Sequence, residues 1–408
     1  MREKRTSTRL IINATNIGRR LSGIGIYTLS LLQELARQDH DRQYTVYLNR
    51  SARPHLQDIH FPDNFRLKWV SKQLSPDDGF IGHFLRLLFA NLLALFHWRH
   101  WIFNTSQLEA CFFRARQIIT IHDVIPLLFR EYHHKQYPYF KYLLKFALRR
   151  ARRIITPSGH SQLLLQEIYG LSGDKIRVIP NGVQEIYHHA YQPSYRRRGG
   201  YILYSGRICP MKNVTTLIQA FALIRDRIPH KLILAGEGRE SLDEAVRQGI
   251  LSAEDLADAR IELRGHVSNR EMRTLMQHAS LFVFPSLYEG FGLPPLEAMA
   301  CGCPVIVSHA ASLPEVCGEA VFYADPHNPL ELALEIYQVL SDPATQERLS
   351  RAGRQRSYCF SWRKSAAAHL AAFRQTIEGQ PVVPETSPLS PKDHSQTNTA
   401  VFLPKDAI

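Results

Sequence analysis

The sequence predicts an α/β protein made of two successive doubly wound parallel sheets. Three observations carry that expectation. Apolar runs of strand length alternate with segments of helical periodicity along most of the chain, and that repetition means parallel strands covered on both faces. The alternation breaks once, at Pro193, Arg196-Arg197-Arg198 and Gly199-Gly200, and then starts again. A chain of 408 residues also exceeds one ordinary core and suits two domains of roughly 180 residues each.

In chain order, Arg9 to Ala14 reads as a buried strand, followed by a glycine-rich turn and a helix pattern from Ile26 to Leu35. Further strands are expected at Tyr44 to Leu48, Trp101 to Phe103, Gln117 to Ile121, Arg153 to Thr156 and Ile176 to Ile179, with helical spacing at Ser161 to Tyr169. Residues 1–192 form the expected first domain and 193–200 the linker. The second domain, 201–378, opens with the strand Tyr201 to Tyr204. Val214, Leu217, Ile218, Phe221 and Ile224 then mark one helix face. Strands follow at Lys231 to Ala235, Ile261 to Leu263, Leu281 to Phe284 and Pro304 to Val307, and terminal helices at Gln346 to Glu378. From Gly379 onward Pro, Ser, Thr and Gln dominate, so 379–408 reads as a disordered tail.

Composition narrows the class. Hydrophobic residues make up 45% and charged residues 21%, as in a soluble globular protein. The net charge of +13 favours an anionic partner, whether nucleic acid, phosphorylated substrate or lipid surface. The basic start lacks an apolar segment of signal-peptide length behind it. The apolar stretch Ile81 to Phe103 is too interrupted to span a membrane. A core helix followed by a strand is favoured there over a helix lying on a membrane. Six scattered cysteines show no zinc spacing and suit reduced thiols in the cytoplasm.

The densest chemistry lies in Pro285-Ser286-Leu287-Tyr288-Glu289-Gly290-Phe291-Gly292-Leu293-Pro294-Pro295-Leu296-Glu297. A strand precedes it and a helix follows. Such a turn gathers backbone N–H groups and the positive end of a helix dipole where a phosphate can bind. Glu289 and Glu297 are spaced to touch two parts of one extended ligand. A turn with one capping carboxylate explains either glutamate but not the whole pattern. Gly18 to Tyr27 is a second glycine-rich turn, but Thr28 breaks the G-x-G-x-x-G of a dinucleotide site. His122-Asp123 ends a strand, the edge where α/β sheets bind ligands.

The Glu289 to Glu297 segment resembles the E-x7-E signature of retaining glycosyltransferases of family 4. Ser205 to Asn213, Leu234 to Gly238, Arg264 to Ser268, Ala300 to Ser308 and Leu313 to Val316 are similar to the family's other loops, in order. The resemblance spans roughly Arg9 to Glu378 and implies the GT-B fold, two Rossmann-like domains facing a central cleft. It implies that Arg207 and Lys212 neutralise the donor diphosphate, Glu289 holds the transferred sugar and Glu297 binds the ribose. Gly290, Phe291, Gly292 and Leu293 would donate N–H groups, and Val267 would border the base. Gly23 and Gly25 would lie beside the diphosphate and the acceptor. His122, in an H-D-x-x-P pattern with Asp123 and Pro126, would contact the transferred sugar.

The resemblance leans toward bacterial mannosyltransferases of polysaccharide and O-antigen assembly. GDP-mannose is therefore the expected donor, with UDP-glucose and related UDP-hexoses second, and the acceptor a glycan or lipid-linked glycan. No cofactor or metal is expected, because the sole D-x-D triplet, Asp39-His40-Asp41, reads as a surface turn. Lys141, Lys145, Arg149 and Arg152 form a basic helix face, favoured as solvated over binding anionic lipid. A sugar-nucleotide epimerase or a phosphorylase of the same fold is the alternative enzyme. A nucleic-acid-binding protein is the non-enzyme alternative, although the aromatic residues fall mostly in core patterns.

Overall fold

The structure, a computed structural model, describes residues 9–188 and 200–380. Positions 193–199 of the expected linker 193–200 and positions 381–408 of the expected tail 379–408 lie outside the described residues. The chain divides into two compact units, with the division falling between Gly182 and Val183.

The first unit carries a seven-stranded parallel sheet in the order β3-β2-β1-β4-β5-β6-β7. Its strands are β1 (Leu10–Asn13), β2 (Tyr44–Asn49), β3 (Phe65–Val70), β4 (Trp101–Asn104), β5 (Gln117–Thr120), β6 (Arg153–Thr156) and β7 (Ile176–Val178). Among helices of eight residues or more, α1 (Gly23–Gln38), α2 (Gly79–Phe96) and α3 (Gly159–Tyr169) belong to this unit. β1 is buried along its whole length because helices cover both faces of the sheet. It is flanked by β2 and β4, with Leu10 opposite both Tyr44 and Trp101. On one face Leu31, Leu32 and Leu35 of α1 pack with Val46 and Phe103. On the other, Leu93 of α2 meets Ile11, Tyr47 and Ile102.

The second unit carries six parallel strands in the order β10-β9-β8-β11-β12-β13. They are β8 (Tyr201–Ser205), β9 (Lys231–Ala235), β10 (Ile261–Leu263), β11 (Leu281–Phe284), β12 (Val305–Ser308) and β13 (Phe322–Ala324). Its helices of eight residues or more are α4 (Val214–Ile224), α5 (Arg239–Arg247), α6 (Asn269–His278), α7 (Leu293–Ala300), α8 (Pro329–Ser341) and α9 (Pro343–Ser357). Strand order reverses between β1 and β4 in one sheet and between β8 and β11 in the other. At such a reversal the loops leaving neighbouring strands run to opposite sides of the sheet, and the carboxyl ends there are the usual ligand position in such folds.

Three features differ from the sequence reading. β3 reads Phe-Arg-Leu-Lys-Trp-Val, and its alternating charges hide a half-exposed edge strand. β13 has three residues and also lies at an edge. The last helix, α10 (Trp362–Glu378), expected with the second domain, belongs to the first unit. Trp362, Ala366, Leu370 and Phe373 join the α1 core, and the Phe373 ring meets Phe103 at 5.0 Å.

Candidate active site

The site loops of the second unit leave β8 and β11, on either side of its strand-order reversal. After β8 the chain turns at Gly206 and places Lys212 at the end of a short 3-10 turn, Pro210–Lys212. The neighbouring loop after β9 comes very close. A Cβ on Gly236 would stand 1.8 Å from the Gly206 carbonyl oxygen, so only glycine fits. Asn213 adopts a left-handed conformation with φ of 55°. Its side-chain amide donates to the carbonyls of Pro285 at 3.2 Å and Pro326 at 2.6 Å. This tie holds the β8 loop against the β11 loop, and the Leu287 N–H adds a bond to Met211 O at 2.9 Å.

The two loops thereby bring Lys212 and Glu289 together. Lys212 Nζ forms an ion pair with Glu289 Oε1 and lies 5.6 Å from the centre of the Phe284 ring. Ser286 Oγ donates to the same carboxylate oxygen at 2.6 Å, and Ser312 Oγ donates to the Glu289 carbonyl at 2.9 Å. Both groups keep some contact with solvent, at 17% and 10% of side-chain exposure. Arg207, on the same loop as Lys212, is exposed. The sequence pattern did not mark Ser286 or Ser312; Ser312 in particular reaches Glu289 only through folding.

Gly290 follows Glu289, Phe291 is buried against Phe360, and Gly292 stands at the N-cap of α7 with φ of 102°. α7 starts at Leu293, inside the glycine-rich segment itself. Pro294 and Pro295 occupy the first turn and have no N–H, so the donors of this turn end at Leu293. Glu297 is buried one turn further on. Burial pushes its carboxyl up to about 8, against the opposing effect of a hydrogen bond from Tyr187. Tyr187, from the short helix Glu185–His188, was not marked by the sequence. Val267 is half-buried in the loop after β10, two strands from β8, and is not part of the Lys212–Glu289 cluster.

In the first unit, Ser22 caps α1 by accepting from the Gly25 N–H at 3.2 Å. Gly23 opens the helix, and a Cβ there would meet nothing within 4 Å. The Cβ of an alanine at 25 would have contacts no closer than 3.4 Å. The fold itself therefore asks for glycine at neither position.

His122 is buried just beyond β5. Its N–H donates to Gln107 Oε1 at 3.1 Å. Its Nε2 lies 2.9 Å from the Thr105 carbonyl, which can only accept, so Nε2 carries the proton. Burial lowers the imidazole to about 4, leaving the ring neutral and Nδ1 an acceptor. The Tyr27 ring meets it edge-on at 4.6 Å. The Tyr27 hydroxyl is bonded to Thr120 Oγ1 at 2.9 Å and to His369 Nε2 of α10 at 2.8 Å. Asp123 accepts from the Ile125 N–H at 3.1 Å and Pro126 lies in the first turn of the helix Ile125–Leu128. The aspartate and proline of that motif thus build the turn that follows His122.

The D-x-D triplet is not wholly a surface turn. Asp39 is buried, accepting from the N–H groups of Asp41 at 3.1 Å and Arg42 at 3.2 Å and from the Tyr44 hydroxyl at 2.5 Å. Its oxygens are committed to the turn between α1 and β2. All six cysteines are free thiols.

With this geometry in place, similarity to known proteins fixes the class. Residues 21–185 match the model described as Glycosyltransferase Family 4, and residues 194–356 the model described as Glycosyl transferases group 1. The chain is 33% identical over 274 residues to the O-antigen chain mannosyltransferase B of Escherichia coli, an alignment covering 64% of this chain and 70% of that protein. It is 28% identical over 278 residues to the serotype-specific mannosyltransferase WbdA of Escherichia coli, covering 64% of this chain but 34% of WbdA. The chain thus spans about a third of that second relative. A crystal structure of HepE from Anabaena, in complex with UDP and glucose, superimposes with a TM-score of 0.66 at 18% identity, over 90% of this chain and 100% of HepE. The chain belongs to the group 1, family 4 glycosyltransferases and has the GT-B fold. It is related to mannosyltransferases of O-antigen synthesis.

Proposed function

We propose that the protein is a retaining mannosyltransferase that moves mannose from GDP-mannose to a glycan or lipid-linked glycan in cell-surface polysaccharide synthesis. In this reading it works in the cytoplasm, at the inner membrane face where the acceptor is lipid-linked. The observation that carries the reading is the Lys212–Glu289 pair. In a nucleotide sugar the anomeric carbon and the β-phosphate share one oxygen, so the groups that read sugar and phosphate must be neighbours. A carboxylate for sugar hydroxyls and an ammonium for the phosphate meet that demand.

In the proposed reaction the bond from C1 to the phosphate oxygen breaks and a bond from C1 to the acceptor oxygen forms on the same face. The acceptor proton passes to the departing phosphate, and a nucleoside diphosphate leaves. Arg207, Lys212 and the N–H groups of Gly290 to Leu293 stabilise the charge that builds there, without a metal. Glu297 receives the ribose hydroxyls and Val267 borders the base. His122 offers Nδ1 to a sugar hydroxyl, and Gly23 and Gly25 leave room for the diphosphate and the acceptor. The names of the Escherichia coli relatives favour mannose. UDP-glucose is the second reading, favoured by the ligand of HepE.

The test is thermal protection. A ligand held only by the native state raises the melting temperature. GDP-mannose is expected to raise it more than UDP-glucose at equal concentration. The reverse ranking rejects mannose and moves the donor to a UDP-hexose; no response to either rejects both donors.

A further inference from the structure

Helix α2 turns one face to the sheet and a second apolar face to solvent. Arg86, Ala90 and Leu93 are buried. Ile81, Phe84, Leu88, Leu92, Leu95 and Phe96 are exposed, Ile81 to 69% and Phe96 to 76%. Steps of three and four residues keep them on one stripe. Arg86 is the helix's sole Lys, Arg, Asp or Glu, and it is buried in an ion pair with Glu109 at 3.0 Å. A helix on a globular surface ordinarily carries its charges on the outer face, and this one carries none there.

The patch continues beyond the helix. Trp98 is exposed, with the Arg99 guanidinium 4.8 Å from its ring centre. Asn91 of α2 holds the following loop, donating to Ala110 O at 3.1 Å and accepting from the Phe112 N–H at 2.9 Å. The next residue, Phe113, is 84% exposed and meets the Phe146 ring at 6.4 Å. Arg150 lies 4.0 Å over Phe146. Acids near it are few: Asp77 and Asp78 stand exposed just before α2, and positions 79–166 contain Glu109, Asp123 and Glu131, of which Glu109 is buried.

We propose that this face docks on an anionic lipid bilayer. The α2 stripe and Trp98 enter the boundary between headgroups and acyl chains, while Arg99 and Arg150 pair with lipid phosphates. Apolar side chains, an interfacial tryptophan and a basic rim suit that occupant together. A second copy of the chain suits it less, because two copies meeting on this face would bring the same basic rim together twice, with no acid between Ile81 and Phe96 to pair it. Among the described residues no helix is long and apolar enough to cross a membrane, so the contact is peripheral. The proposal names the surface that brings the enzyme to a membrane-borne acceptor. It rests on that reading for its purpose, while lipid contact is measured without any transfer.

The experiment is flotation of the full chain with vesicles of phosphatidylcholine, with and without phosphatidylglycerol. The protein is expected to float with the anionic vesicles and to be released as salt rises. The double variant Leu88→Gln, Leu95→Gln is expected to lower the vesicle partition coefficient about tenfold or more, because both side chains lose their apolar burial. Its melting temperature and nucleotide-sugar response are expected to stay at wild-type values, which separates lost docking from misfolding. Arg99→Glu with Arg150→Glu is expected to abolish the preference for anionic vesicles. Wild-type protein that ignores anionic vesicles, or a stripe variant that floats equally well, overturns the proposal. An oligomer that the stripe variant dissociates, with no vesicle binding, overturns it in favour of a second copy. The transferase reading fails on a different readout, the absence of any nucleotide-sugar response.

Discussion

At Glu289 and Glu297 the same side chain sits in two electrostatic settings. Glu289 is held by Lys212 and Ser286, so its carboxylate is paired beside the proposed reacting bond. Removing it by Glu289→Ala is expected to lower turnover about a hundredfold or more, since the lost contact is with the group that changes in the transition state. Glu297→Ala is expected to act mainly on nucleotide affinity, because the ribose is unchanged by the reaction. Steady-state kinetics with donor titration checks both; full affinity in Glu297→Ala with lost binding in Glu289→Ala would reverse the roles. Glu297 also has a signature in stability. Its carboxyl, raised to about 8, keeps its proton in the folded chain while the unfolded chain releases it near 4.5. The unfolded state then binds fewer protons, so this residue's contribution to stability falls as pH rises from about 4.5 to about 8. Glu297→Gln is expected to remove that slope, gaining on the wild type across this window in urea unfolding. A constant difference at all these pH values would refute it. The glutamates could be read from sequence, but Ser312 and Tyr187 could not. Nothing in the chain marks residues that meet their partners only when separate loops converge.

At the scale of elements, α10 is the part whose placement matters most. Its period predicts a helix, but an apolar stripe does not say which sheet it will cover. Phe373 enters the first unit's core against Phe103, His369 bonds Tyr27, and Glu378 pairs with Arg42 at 2.5 Å. The terminal helix therefore belongs to the packing around His122. Phe373→Ala is expected to destabilise the protein by about 3–5 kcal/mol, the range for emptying a buried aromatic site. Chemical denaturation with probes in each unit checks this, and an effect confined to the second unit would contradict it. β3 shows the opposite limit. Its inner residues alternate with Arg66 and Lys68, so an edge strand covered on one side only lacks the continuous apolar run of a strand buried on both faces.

For the whole molecule the open chemical question is what neutralises the leaving diphosphate. The carboxylate of Asp39 is used by the fold's own N–H and O–H groups, whereas Lys212 and Arg207 stand on the loop at the β8 end. Activity is expected to persist in EDTA and to fall by about two orders of magnitude or more in Lys212→Ala or Arg207→Ala. Loss on chelation, restored by Mn²⁺ or Mg²⁺, would reject the metal-free scheme. Sequence by itself determined the class: two parallel α/β units, the order of their loops and the two glutamates, all written in local patterns of period and glycine. Only the tertiary structure decided that Lys212 meets Glu289, that Tyr187 bonds a buried Glu297, that α10 covers the first sheet and that α2 leaves a greasy face in water. Each of these depends on which surfaces meet after the chain has folded, and hydrophobic burial sets that choice without leaving a local code.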